Sequence, residues 1–187
     1  MISTASRLTV RGVVLRGAVV LGAAWLMAMS AQLQVNLWPV PITAQTLALP
    51  IVVALLGRNQ AVLAMLAYLA EGAGGLPVFH GFAGGIAHLA GPTGGYLVAL
   101  PFAAFAIGWL YERGLGKTLA GRFAAIFLGT AVVFAIGAAW LATLLHLTPL
   151  RAVAVGVTPF LIGDVAKCLI AALVPPLWPA LARRLGL

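Results

Sequence analysis

Asp164 and Lys167 stand three residues apart in VTPFLIGDVAKCLIAALV, residues 157–174, a run that is otherwise apolar. The whole chain has only three acidic residues, so placing one of them here asks for a physical reason. Positions i and i+3 are neighbours on one helix face, so the carboxylate and the ammonium can share one polar spot. A single charge at the middle of a membrane helix costs about 2.5–3.5 kcal/mol on insertion scales. A purely structural ion pair offsets that cost, yet gains little over two apolar side chains of similar volume. Charges in such places usually mark a substrate or ion path. The pair is therefore read as a binding site. A carboxylate accepts hydrogen bonds and an ammonium donates them. Together they suit a compact solute carrying N–H donors, a carbonyl oxygen or an acidic group. One acid and one base are few for ion pumping.

The elements that hold this pair are set by composition. The chain has 187 residues, 63% hydrophobic and 7% charged, with a mean hydropathy of +1.12. Soluble domains carry about 25% charged residues, so this is an integral membrane protein, all-α and a single domain over 1–187. A spanning helix needs roughly 20 apolar residues. Six segments qualify as transmembrane helices, at 13–33, 44–57, 60–76, 94–111, 123–146 and 156–181. The second and third are short, so tilt or shielding by neighbours is expected. The apolar run from Val13 to Ala31 is long enough to span, so it is not read as a cleaved signal peptide. Six spans leave no room for an ATP-binding or soluble catalytic domain.

Basic residues set the orientation. Arg7, Arg11 and Arg16, Arg58, the group Arg113, Lys117 and Arg122, and Arg183 with Arg184 fall on one side, nine of the eleven Lys and Arg. Arg151 stands on the other. The excess of Lys and Arg in cytoplasmic connections then places both termini in the cytoplasm. The net charge of +8 is a topology signal; without a basic patch interleaved with aromatics it does not indicate nucleic acid.

The opposite side carries irregular connections. QVNLWPVPITAQT, residues 34–46, offers Trp38, two prolines, Thr43 and Gln45; residues 72–95 are rich in glycine. Irregular backbone at membrane depth survives where it is buried in protein or lines a cavity. A cavity roofed by these two loops is expected, with Trp38, Phe79, Phe82, Tyr96 and Phe160 as its aromatic wall. In the first helix, Ala18-x-x-x-Gly22 and Ala24-x-x-x-Ala28 make strips where another helix can approach closely. They serve either internal packing or a partner.

Other chemistry is poorly supported. Gly116-Lys117-Thr118 resembles the end of a phosphate-binding loop, but Tyr111 stands where that motif needs glycine. His80, His88 and His146 lack zinc spacing, and no metal ligand set is assigned. Cys168 reads as inert packing. No second intramembrane acid accompanies Asp164 for an aspartyl dyad. An enzyme using Asp164 and Lys167 as acid and base stays open as an alternative to solute binding.

Three stretches carry a family resemblance: PVPITAQTLA from Pro39 to Ala48, GLPVFHGFAGGIAHLAGPTGGYL from Gly75 to Leu97, and PFLIGDVAKCLIAA from Pro159 to Ala172. Their order and spacing resemble the BioY biotin transporter family, the substrate-binding (S) components of energy-coupling factor transporters. GPTGGY together with GDxxK is the specific part. The resemblance implies a six-helix S-component fold with both termini inside, in a bacterial cytoplasmic membrane. It implies high-affinity biotin capture and uptake without catalysis or cofactor. Asp164 and Lys167 match the family's acid and lysine, and would meet the ureido group, with the carboxylate as a second option for Lys167. The stretch from Gly91 to Tyr96, Gly94 included, would shape the wall, with Thr43 and Gln45 bordering it. The partners implied are biotin, the lipid bilayer, a transmembrane coupling protein and two ATP-binding subunits, docking on helix 1 through Ala24 and Ala28. An S component for another vitamin, such as thiamin, is the alternative within transport. Ile162 stands where the family often has proline before GD.

Overall fold

A computed structural model describes residues 10–185 of the chain. Arg7 lies outside the described residues, as do the side chains of Arg11, Arg183 and Arg184. Five helices are long and apolar enough to cross a membrane. They are α1 (Val10–Gln32), α2 (Gln45–Ala73), α4 (Gly94–Glu112), α5 (Leu119–Leu144) and the composite segment Pro149–Ala172. That last segment is α6 (Pro149–Gly156), a 3-10 turn over Thr158–Phe160 and α7 (Leu161–Ala172). The short α3 (Ile86–Leu89) lies in the loop before α4, and α8 (Trp178–Leu185) follows α7. A two-residue hairpin, β1 (Gln34–Val35) with β2 (Ile42–Thr43), joins α1 to α2.

The α2 segment folds back on itself. Gly57 breaks it at φ 74°, ψ 172°, a conformation that glycine adopts without a Cβ penalty. The Gln45 Nε2 group donates to the Tyr68 hydroxyl at 3.1 Å. In one straight helix those residues would be about 35 Å apart at 1.5 Å per residue. The two arms are therefore an antiparallel hairpin, as the short second and third apolar segments of the sequence anticipate. Each arm is shorter than the ~20 residues of a full span. The break leaves the Ala54 carbonyl free, and the Leu177 N–H closes it at 2.7 Å. Trp178 covers Gly57.

The charged end of the bundle gathers around this turn. Arg58 pairs with Glu112 at 3.1 Å. Arg122, at the start of α5, donates to the Ala172 carbonyl at 2.6 Å and to Gly116 at 3.3 Å. It is therefore a strut between α5 and α7 as well as a topology signal. Thr118 caps α5 by accepting from the Gly121 N–H at 3.1 Å, a helix N-cap rather than part of a phosphate loop.

Two expectations shift. The last long segment begins at Pro149, not 156, because Thr148 accepts from the Arg151 N–H and proline suits the first helical turn. Its helix ends at Ala172, ahead of Pro175 and Pro176, so Arg151 belongs to a helix and not to a loop. The small-residue strip also divides. Ala24 and Ala28 are buried against α2 and are taken up by internal packing, so they do not offer a docking face. Ala18 and Gly22 remain on the open side, beside the exposed Trp25 and Met29.

Candidate functional site

The break at Thr158–Phe160 positions the acid. It makes Asp164 a first-turn residue of α7, where the N-terminal end of the helix dipole favours a negative charge. The carboxylate is buried, 4% exposed. Its Oδ2 accepts from the Cys168 thiol at 3.6 Å. Its Oδ1 has no hydrogen-bond partner. Buried polar oxygens are normally satisfied, so this acceptor is available to a ligand donor.

Lys167 reaches elsewhere. Its ammonium donates to the Thr43 carbonyl at 2.6 Å and to the Thr46 hydroxyl at 3.2 Å. Asp164 and Lys167 form no ion pair; among the described residues the ion pair is Arg58–Glu112. The lysine thus ties the 34–46 connection to α7, while the acid stays free. Gln45 completes this corner. Its Oε1 accepts from the Thr43 hydroxyl at 3.1 Å, and its amide is held by the buried Tyr68.

These groups line one open-mouthed cavity. Ligand sites commonly pair apolar walls with a few placed polar groups. Val40, Pro41, Thr43, Gln45 and Thr46 form one side, and Asp164, Lys167 and Phe160 another. Tyr96, Leu97 and Leu100 of α4 and Val133 and Phe134 of α5 complete the lining. The Tyr96 hydroxyl donates to the Gly156 carbonyl at 2.8 Å. That bond pins its ring at the bend above α7.

The other expected residues fall outside this lining. Trp38 is 86% exposed, at the tip of its loop and next to a cis Trp38–Pro39 bond. Phe82 is also exposed. Phe79 is fully buried, edge-on to Tyr68 at 5.5 Å and stacked on His88 at 5.2 Å. It supports the roof from behind. Gly91 offers its carbonyl to the Trp140 indole at 2.9 Å. Gly94 is needed because a Cβ there would overlap the Leu89 carbonyl. Both glycines shape the turn into α4 without touching the cavity.

Sequence reasoning gave no role in the site to three polar supports, His80, Thr46 and Gln32. His80 and Thr93 line the cavity. Thr46 holds Lys167. Gln32, at the end of α1, clamps the roof. Its amide donates to the Phe79 carbonyl at 3.0 Å and its Oε1 accepts from the Phe82 N–H at 3.0 Å. Thr93 lies within the stretch from Gly91 to Tyr96 expected at the wall, and it shares one helical face with Tyr96, Leu97 and Leu100. Nothing in the local sequence signals Gln32.

Burial holds both imidazoles of the roof below the ordinary histidine value of 6.5, and for His80 the neighbouring His88 adds to the effect. Both are neutral at pH 7 and can donate or accept according to tautomer.

Known proteins resemble this chain over most of its length. A probable biotin transporter BioY of Pyrococcus horikoshii is 38% identical over 149 residues, 80% of this chain and 86% of the relative. A biotin transporter BioY of Rhizobium etli is 42% identical over 142 residues, 72% and 75% of the two chains. A crystal structure of the S-component for biotin from an ECF-type ABC transporter superposes with a TM-score of 0.79 at 26% identity, covering 89% of this chain and 91% of that one. The BioY family model matches residues 4–184; the chain belongs to the BioY family.

Proposed function

We propose that this chain captures biotin and carries it across the bacterial cytoplasmic membrane as the substrate-binding component of an energy-coupling factor transporter. The observation that carries the reading is Asp164, a buried acid with one unpartnered oxygen, lining with Lys167 a largely apolar cavity. A ureido N–H would satisfy that oxygen. Lys167 would meet the ureido oxygen. Tyr96, Thr43 and Gln45 would border the ring system. The same pair could act as acid and base in an enzyme, but the relatives are transporters.

The chain crosses the membrane six times in this reading, with the two arms of the α2 hairpin counted separately. The arginine-rich end around Arg58 and Arg122 faces the cytoplasm, as the excess of basic residues there favours, and the cavity opens outward. A transmembrane coupling protein with two ATP-binding subunits supplies the energy. Helix 1 docks on it through the open Ala18 and Gly22 strip beside Trp25, where small residues permit close helix approach.

The test is uptake of labelled biotin at nanomolar concentration in a bacterium lacking its own importer, with and without this chain. The chain is expected to confer saturable uptake that excess biotin suppresses and excess thiamin does not. Suppression by thiamin, or no uptake with a coupling module present, contradicts the reading.

A further inference from the structure

The cavity has a second polar end, away from Asp164 and Lys167. Helices α4 and α5 run antiparallel in tight register. A Cβ on Gly95 would meet Trp140, one on Gly137 would meet Tyr96, and one on Gly129 would meet Ile107. Phe134 therefore lies level with Leu100, and Thr130 one turn further in. Thr130 touches Cys168 at 3.7 Å, and Cys168 reaches Asp164 at 3.6 Å one turn above it. Asp164 is thus level with Leu100. Thr93 lies seven residues above Leu100, about 10 Å along the helix axis at 1.5 Å per residue.

At that upper end the polar groups are His80 and Thr93, both lining the cavity. His88 stands behind them, its ring 4.6 Å from that of His80 and its Nε2 3.4 Å from the Thr93 hydroxyl. Gln32 fixes the turn that carries His80. Between the two ends the wall is the Tyr96 ring and Leu97, with Leu100 and Phe134 level with Asp164. The cavity therefore matches a solute with a polar head, an apolar middle and a second polar end.

We propose that His80, backed by His88, receives the carboxylate end of the ligand and takes up a proton as it does so. This rests on the biotin reading, in which the ureido ring occupies the Asp164 and Lys167 end and the acid chain points up. Other titratable groups facing the cavity are Tyr96 from α4 and Asp164 with Lys167 from α7. The last two lie about 10 Å below, whereas His88 is in direct ring contact. A carboxylate placed beside an imidazole favours its charged form. Binding then draws a proton from solvent, and affinity for the acid rises as pH falls. An aliphatic carboxylic acid remains largely ionised above about pH 5.

The experiment titrates the purified full chain with biotin and with biotinamide, which lacks the anionic end, at pH 7.5 and pH 5.5. Biotin is expected to bind roughly 3–10-fold more tightly at pH 5.5, as a ligand-linked protonation requires, and biotinamide to show no such gain. His80→Gln keeps hydrogen-bonding capacity without a titratable ring, and is expected to flatten the biotin profile. Equal pH responses for the two ligands, or a His80→Gln profile as steep as wild type, overturn the assignment. If folded protein binds neither ligand at either pH, the biotin reading falls and takes this inference with it.

Discussion

Gly137 does not line the cavity, yet Gly137→Ala should weaken ligand binding. A methyl at this position would overlap three atoms of the Tyr96 ring, with Cγ at 2.5 Å. Ordinary carbon contacts lie near 3.5–4.0 Å, so the ring must move by roughly 1 Å or more. Its hydroxyl is fixed to the Gly156 carbonyl at 2.8 Å, and Gly156 itself has no room for a side chain against that hydroxyl. The direction left is into the cavity. Inserting a methylene-sized group into a tight site costs about 1–3 kcal/mol. Displacing the wall by that energy corresponds to a loss of roughly 5–150-fold in affinity. The assay is equilibrium biotin binding to purified protein, with thermal unfolding measured in parallel. Gly17→Ala is the control, because nothing lies within 4 Å of the added methyl. Wild-type affinity for Gly137→Ala at unchanged melting temperature would refute the argument that the α4–α5 register sets the wall.

Lys167→Met should loosen the 34–46 connection as well as remove a ligand group, because two hydrogen bonds to Thr43 and Thr46 vanish. Bonds to a charged group contribute about 1.5–3 kcal/mol each at most, so affinity should fall by at least 10-fold and amide exchange around Thr43 should accelerate; protection equal to wild type contradicts the tie. Gln32→Ala removes the clamp on the roof, and with about 1 kcal/mol net per neutral hydrogen bond it should raise exchange at Phe82 and weaken binding several-fold. Without ligand, the melting temperature should fall as pH drops below about 6.5. Burial disfavours protonation of His80 and His88 in the folded state, so the unfolded chain takes up protons first. Stability is complete above the ordinary histidine value and is lost as pH falls through the lower folded values. A His80→Gln/His88→Gln variant should show a smaller drop, and an identical drop would remove these residues as its cause.

Much of the site was legible in the sequence because membrane burial makes polar residues conspicuous. Asp164 and Lys167 stood out against an apolar run, and Thr43, Gln45 and Tyr96 lie with them around one cavity. The short second and third segments correspond to the hairpin arms, since Gly57 is where a helix can reverse. Asp164 and Lys167 share that cavity without an ion pair, because the lysine reaches across to Thr43 and Thr46, a contact between residues more than a hundred positions apart. Trp38 and Phe79 were chosen for their ring chemistry, but side-chain direction in a loop depends on packing that no local pattern encodes. Ala24 and Ala28 show the same limit, since a small-residue strip reads alike whether it meets α2 or a partner. The roles of Gln32 and His80 are not legible in the sequence because they arise from the long glycine-rich loop folding back over α1.

The most direct test of the central claim is equilibrium titration of the isolated chain in detergent with labelled biotin, comparing wild type with Asp164→Asn. The account predicts saturable binding near one biotin per chain for wild type. It predicts at least a 10-fold loss for Asp164→Asn at unchanged melting temperature, since hydrogen bonds to charged groups contribute about 1.5–3 kcal/mol. Wild-type affinity in the Asn variant would contradict the claim that the free carboxylate oxygen is what the ligand satisfies.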